Sequence, residues 1–210
     1  MSLPGGARLL PVGQRLGELH TGTGGETRGL LVHTGGEAVL VEDGDPADLW
    51  DVAHGLTAVV GHVAWDRGQV GAVFPDLGPA DVDRLVEDLL ARRLLAEVDP
   101  DDAEGFLAGH RWYSRLSGLG YLERDHGWVC GIGVPGAPPV REVSPRVYEF
   151  WSLAPELGSL AEAADFLAAA AVDDPGVTAA ETDPAAVRAA VVDWLHDLLC
   201  VGAGWLEALP

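Results

Sequence analysis

Lysine is missing altogether: all 13 basic residues of this 210-residue chain are arginines. Schiff-base chemistry, pyridoxal-phosphate attachment and a phosphate-loop lysine are thereby excluded. Cysteine is nearly missing too. Cys130 and Cys200 are the 2 present, too few for a disulfide framework or a zinc site, so a reduced, cytoplasmic protein is expected. Long apolar runs are lacking. The richest, from Phe166 to Val172, is mostly alanine and falls short of the roughly 18 residues that a bilayer span needs. Residues 1–20 carry no basic stretch followed by an apolar run, so no signal peptide is expected.

What is present describes a globular protein. Hydrophobic residues are 48% of the chain and charged ones 22%, which argues against disorder. The 28 glycines and 14 prolines lie between apolar stretches and read as turns. Richness in Ala, Gly, Val and Asp without lysine is the composition of GC-rich genomes such as those of actinobacteria. A net charge of −20 makes nucleic acid a poor partner, because its binding rests on neutralising phosphates. The same charge suits either solubility or a cationic partner.

Along the chain, Arg8 to Leu19 reads as an irregular first strand. Arg28 to His33 and Ala38 to Glu42 are β-rich runs joined by Thr34, Gly35, Gly36 and Glu37, a strong hairpin signal. Asp45–Pro46 opens a helix, with Asp45 placed to cap it. A short second helix is expected from Thr57 to Trp65 and a loop from Asp66 to Leu77. Gly78–Pro79 starts the clearest helix, where Val82, Leu85, Val86, Leu89 and Leu90 recur at three- and four-residue steps. Asp99 to Glu104 reads as a linker, followed by a connecting segment from Phe106 to Leu116.

The same order then begins again. Gly120 to Glu123 and Trp128 to Val134 read as strands around a turn at Asp125–His126–Gly127. Val140 to Val143 is a third strand, Ser144–Pro145 opens a helix, Ser159 to Ala171 forms a second, and Asp183–Pro184 opens the last after a loop from Asp173 to Thr182. Residues 79–90, PADVDRLVEDLL, lie without gaps on residues 184–195, PAAVRAAVVDWL. An α+β chain of two tandem units is expected, each a three-stranded antiparallel sheet followed by three helices, with boundaries 1–98, 99–116 and 117–210. Trp50, Trp151, Trp194 and Trp205 fall on apolar helical faces and read as core; Trp65, Trp112 and Trp128 are less constrained.

The hairpin LLVHTGGEAVLVEDGDPADLW (residues 30–50) and the helix PADVDRLVEDLLARRLLAEV (residues 79–98) resemble the PqqD-like winged-helix module called the RiPP recognition element. The finish VDRLVEDLLARRLL (residues 82–95) carries the likeness best. Residues 8–98 show it, and residues 117–209 show it more weakly. The turn His54–Gly55–Leu56–Thr57 departs from the family's usual pattern, and the second unit lacks a clean hairpin turn.

The resemblance implies a non-catalytic protein that binds the leader segment of a ribosomally made precursor peptide and delivers it to separate modifying enzymes, as in a daptide-like pathway. An extended peptide would add to the edge strand Ala38, Val39, Leu40, Val41 and Glu42 and lie along the helix face of Val82, Arg84, Leu85, Asp88, Leu89 and Arg92. Arg84 and Arg92 share a face and would meet acidic leader residues; alternatively they flank Asp88 in surface pairs. The second unit offers a candidate groove of Val140, Arg141, Glu142, Val143, Val187, Val191 and Trp194. Its last helix is apolar over more than one face, which equally suits burial against the first unit or a second copy of the chain.

Other chemistry leaves little trace. The glycine-rich stretches GTGGET (22–27) and GIGVPG (131–136) lack the residues and spacing of phosphate or dinucleotide loops. Histidines 20, 33, 54, 62, 110, 126 and 196 form no metal-binding motif, although His54 and His62 could meet across two helices. No cofactor, metal or catalytic residue is expected, and Cys130 has no histidine partner near it in sequence. Two alternatives are a tandem winged-helix partner resembling ScpB-type condensin subunits, which would begin each unit with helices, and a winged-helix regulator, which would need a basic final helix.

Overall fold

A computed structural model describes residues 6–22, 25–56, 65–125, 127–172, 174 and 176–210. Its first half runs β1 (Arg8–Pro11), β2 (Gln14–His20), β3 (Thr27–Thr34), β4 (Glu37–Glu42), α1 (Asp45–Val52), α2 (Arg67–Gly71), α3 (Pro79–Ala91) and β5 (Leu95–Val98). The second half runs α4 (Glu104–Ala108), β6 (His110–Ser114), β7 (Ser117–Arg124), β8 (Gly127–Gly133), β9 (Arg141–Val143), α5 (Pro145–Leu153), α6 (Leu160–Ala170), α7 (Ala179–Thr182), α8 (Pro184–Cys200) and β10 (Gly204–Ala208). The fold is α+β, with four small antiparallel sheets and eight α-helices among the described residues.

Local chemistry explains the hairpin. Gly35 and Gly36 sit at φ 58° and 83° in a two-residue turn closed by Thr34 and Glu37. Two successive positive φ values are the type I′ geometry whose twist matches the strands it joins. The strands form β2-β3-β4 in the first half and β7-β8-β9 in the second. In each half a strand before the sheet pairs with one after the last helix, β1 with β5 and β6 with β10. The second half differs by α4 ahead of β6 and by four helices, α5 to α8, where the first has three among the described residues.

Several sequence expectations change. The long first strand is split into β1 and β2 at Val12 and Gly13, where Gly13 has φ 105°. The stretch 66–77 is not all loop: Asp66 caps α2 through Gln69 N–H. The connecting segment holds α4 and β6, and the loop after α6 holds α7. Asp45 does not cap α1, because Gly44 occupies that position and leaves Asp45 in the first turn, where an anion suits the helix dipole. Of the helix expected from Thr57 to Trp65, residues 57–64 lie outside the described residues, as do His126 and the contact with His62.

Helices α3 and α8 end alike. The Leu94 N–H bonds the Leu89 carbonyl and Ala203 N–H bonds that of Leu198, both at 2.9 Å. Arg93 (φ 56°) and Gly202 (φ 65°) turn the chain in the left-handed region, making two Schellman ends. Because α8 has 17 residues against 13 in α3, the gapless overlay of their starts puts their ends one turn apart.

Two apolar cores result among the described residues. One gathers Leu30, Val32, Val41, Leu49, Trp50, Trp65, Val86 and Leu89 from the first half. The larger gathers Trp112, Ile132, Phe150, Trp151, Leu167, Val191 and Leu195 from the second. The β1–β5 ribbon is the wall between them. Leu9 and Leu95 face the first core, while Leu10, Ala96 and Val98 face the second. Alternating side chains let one strand serve both sides. Arg8, 1% exposed, crosses this wall and donates Nη2 to Asp193 Oδ1 of α8 at 2.9 Å and Nη1 to the Gly6 carbonyl at 2.8 Å. No helix is long and apolar enough to cross a membrane among the described residues.

Candidate functional site

The outer edge of β4 is set by the hairpin register. Asp43 N–H bonds the Arg28 carbonyl at 3.2 Å, in line with the pairs Leu30–Val41 and Val32–Val39. Alternation then turns the backbone groups of Ala38, Leu40 and Glu42 away from β3. No other strand adjoins this edge among the described residues.

One side chain reaches over it. Arg92, just past the end of α3, donates Nη2 to the Leu40 carbonyl, and its Nη1 lies 3.1 Å from Glu42 and 3.3 Å from Asp88. The nearness of its own backbone N–H, ahead of Arg92, holds the carboxyl of Glu42 below its ordinary pKa despite some desolvation. The edge is therefore held by a clasp of side chains. The outward N–H groups of Ala38 and Leu40 have no partner among the described residues.

The predicted residues divide accordingly. Ala38 and Glu42 are exposed, Val39, Leu40 and Leu85 half-buried, and Val41, Val82 and Leu89 buried. Arg92 and Asp88 meet at the edge. Arg84 does not join them: it is 75% exposed and pairs with Asp81 at 3.1 Å, one turn back along α3.

A second clasp joins β9 to α8 with the charges exchanged. Arg141 donates Nε to Asp197 Oδ2 at 3.0 Å, and its Nη2 lies 2.7 Å from Oδ1. Glu142 pairs with Arg124. Val140 is exposed and Val143 buried at the strand's end. Val187 and Val191 lie inside the larger core, and half-buried Trp194 leans on Phe150 at 5.8 Å between ring centroids. The apolar faces of α8 are thus spent on packing, which leaves Asp197 as its contribution beside β9. Sequence reasoning missed Asp197; its four-residue spacing from Asp193, the residue that overlays Asp88, was the available signal.

Elsewhere, burial governs the reactive groups. It pushes the Cys200 thiol up to about 11, with Asp197 adding to the effect, and raises Cys130 in the same direction with Glu149. Protonated thiols are poor nucleophiles. No group of three or more His, Cys, Asp or Glu is placed to hold a metal ion among the described residues. His196, 3% exposed, stacks against Trp65 at 6.1 Å, and its Nε2 has no hydrogen-bond partner among the described residues. A cleft of about 260 Å³ where the halves meet is lined by Arg15, Asp51, His54, Arg115, Cys200 and Trp205, and one of about 470 Å³ lies between α5 and α6.

No protein-family model matches this chain, and neither a curated protein nor a solved structure does.

Proposed function

We propose that the chain is a non-catalytic recognition protein that binds the leader segment of a ribosomally made precursor peptide as an added strand on β4 and presents it to separate modifying enzymes. In this reading the halves are tandem PqqD-like winged-helix units, residues 1–98 and 117–210, joined through 99–116. The recurrence of a three-stranded sheet, a closing two-stranded ribbon and a Schellman end supports the duplication. The first half opens on strands, which counts against the ScpB-like alternative there, while the second is led by the short helix α4.

The observation that carries the proposal is the edge of β4, where outward N–H groups without strand partners among the described residues stand beside an arginine bridge from α3. A guest strand pairs with Ala38 and Leu40 and displaces Arg92 from the Leu40 carbonyl. The freed guanidinium needs a replacement acceptor, which an acidic guest side chain supplies. A clasp that closes the edge of the empty protein also guards it against edge-to-edge aggregation.

The test is a fluorescence-polarisation titration with the leader of a precursor encoded beside this chain's gene. Binding at about micromolar affinity or tighter is expected. Ala38→Pro removes an outward N–H while leaving the bonds to β3, so it should weaken binding by about tenfold or more with little loss of stability. Unchanged affinity in that variant refutes strand addition at β4.

A further inference from the structure

Both clasps tie an edge strand to the long helix with charges exchanged, the first also through the Leu40 carbonyl and the second through side chains, and this bears on what each edge accepts. In each, a strand residue is tied to a residue near the end of the long helix. The helix-borne member is the less exposed: Arg92 25% against 67% for Glu42, and Asp197 24% against 37% for Arg141. When a clasp opens, the strand-borne group can turn to solvent. The helix-borne charge stays at the wall and favours a guest partner of opposite sign, beside the Asp88 that Arg92 keeps on its own helix. At the first edge that partner is anionic. At the second it is cationic.

Asp197 is also incompletely satisfied. Its Oδ1 is shielded from solvent and lies 2.7 Å from Arg141 Nη2, yet it accepts no well-angled hydrogen bond among the described residues. That oxygen retains capacity for a donor, and ammonium and guanidinium are the strongest available.

We infer that the second unit is a docking edge for a basic extended segment, which pairs with β9 and places an arginine or lysine on Asp197. This rests on the reading of β4 as a strand-accepting edge and extends it to the other half with the charge preference reversed. An acidic segment held at the first edge would meet repulsion at the second, so the two sites discriminate between guests by charge. The chain would thereby hold an acidic leader at one end and a basic segment of a partner at the other. A net charge of −20 favours approach of the basic guest.

The probes are two synthetic peptides of about eight alternating valines and threonines, one with a central arginine and one with a central glutamate, a length that makes one strand. Amide hydrogen exchange of the intact chain locates each. The arginine peptide should protect β9 and bind there about tenfold more tightly than the glutamate peptide, the factor that about 1.4 kcal/mol supplies. Asp197→Asn should abolish that preference and leave binding at β4 unchanged. The double variant Arg141→Asp with Asp197→Arg keeps the clasp but reverses its polarity, and should reverse the preference.

Failure of the arginine peptide to protect β9 overturns the inference, as does an undiminished preference for it in Asp197→Asn. If the glutamate peptide protects β4 while β9 stays unprotected, only this inference falls. If β4 stays unprotected while the arginine peptide protects β9, the leader reading falls instead.

Discussion

His196 should make the stability of this protein pH-dependent in a way that one substitution removes. Burial, and next the positive charge of Arg8, push its imidazole from 6.5 down to about 4. The folded chain therefore keeps His196 neutral through a range in which the unfolded chain protonates it. The group's folded pKa lies below its unfolded value, so the unfolded state binds the additional proton and stability falls as pH drops. No penalty exists well above pH 6.5. It grows by about 1.4 kcal/mol per pH unit below that, and levels off near pH 4 at about 3 kcal/mol.

That is a large fraction of the about 5–15 kcal/mol by which domains are usually stable. At 3% exposure the ring has little solvent to screen it. Urea denaturation at pH 7.5, 6 and 4.5, compared with His196→Phe, isolates the effect from carboxylates that titrate in the same range. The substitution keeps an aromatic ring against Trp65 and removes the proton. The difference between the two proteins should change by about 2–3 kcal/mol from pH 7.5 to 4.5. Parallel pH profiles would refute the reasoning.

Other consequences concern the same junction. Gly55 has φ +96°, and a Cβ there would lie 3.0 Å from His196 Nε2, so Gly55→Ala should cost about 1–3 kcal/mol in chemical denaturation; an unchanged midpoint contradicts the packing described. Asp193→Ala leaves Arg8 buried without its carboxylate and should cost about 3 kcal/mol, the low end of the range because Asp193 is one-third exposed. Restoring stability with Arg8→Leu in the same chain would show that the loss comes from the stranded charge, whereas a further loss would not. At pH 7.5, native Cys130 should resist maleimide for as long as the protein stays folded, as followed by mass spectrometry, because its thiol is buried and held protonated.

What was legible in the sequence came from local signals. The Gly35–Gly36 turn, the apolar stripe of α3 and the proline-led helix starts each depend on a few adjacent residues. The pairings of β1 with β5 and of β6 with β10 were not legible, since no local pattern says which distant strand will be met. The same holds for the shared wall: Leu9 and Leu10 are both apolar, and only the tertiary structure assigns them to different cores.

The candidate edge shows the division clearly. Sequence alone determined that Ala38 to Glu42 would be a strand, because that follows from backbone periodicity. The helical face expected to join Arg84 and Arg92 stops short, since Arg92 lies just past the end of α3. The tertiary structure decided that Arg92 spans to the Leu40 carbonyl while Arg84 turns to Asp81, and that Asp197 is the facing charge in the second half. The physical reason is range. Periodicity fixes which residues share a face, but the partner a charge finds depends on elements brought together across 50 or more positions of chain.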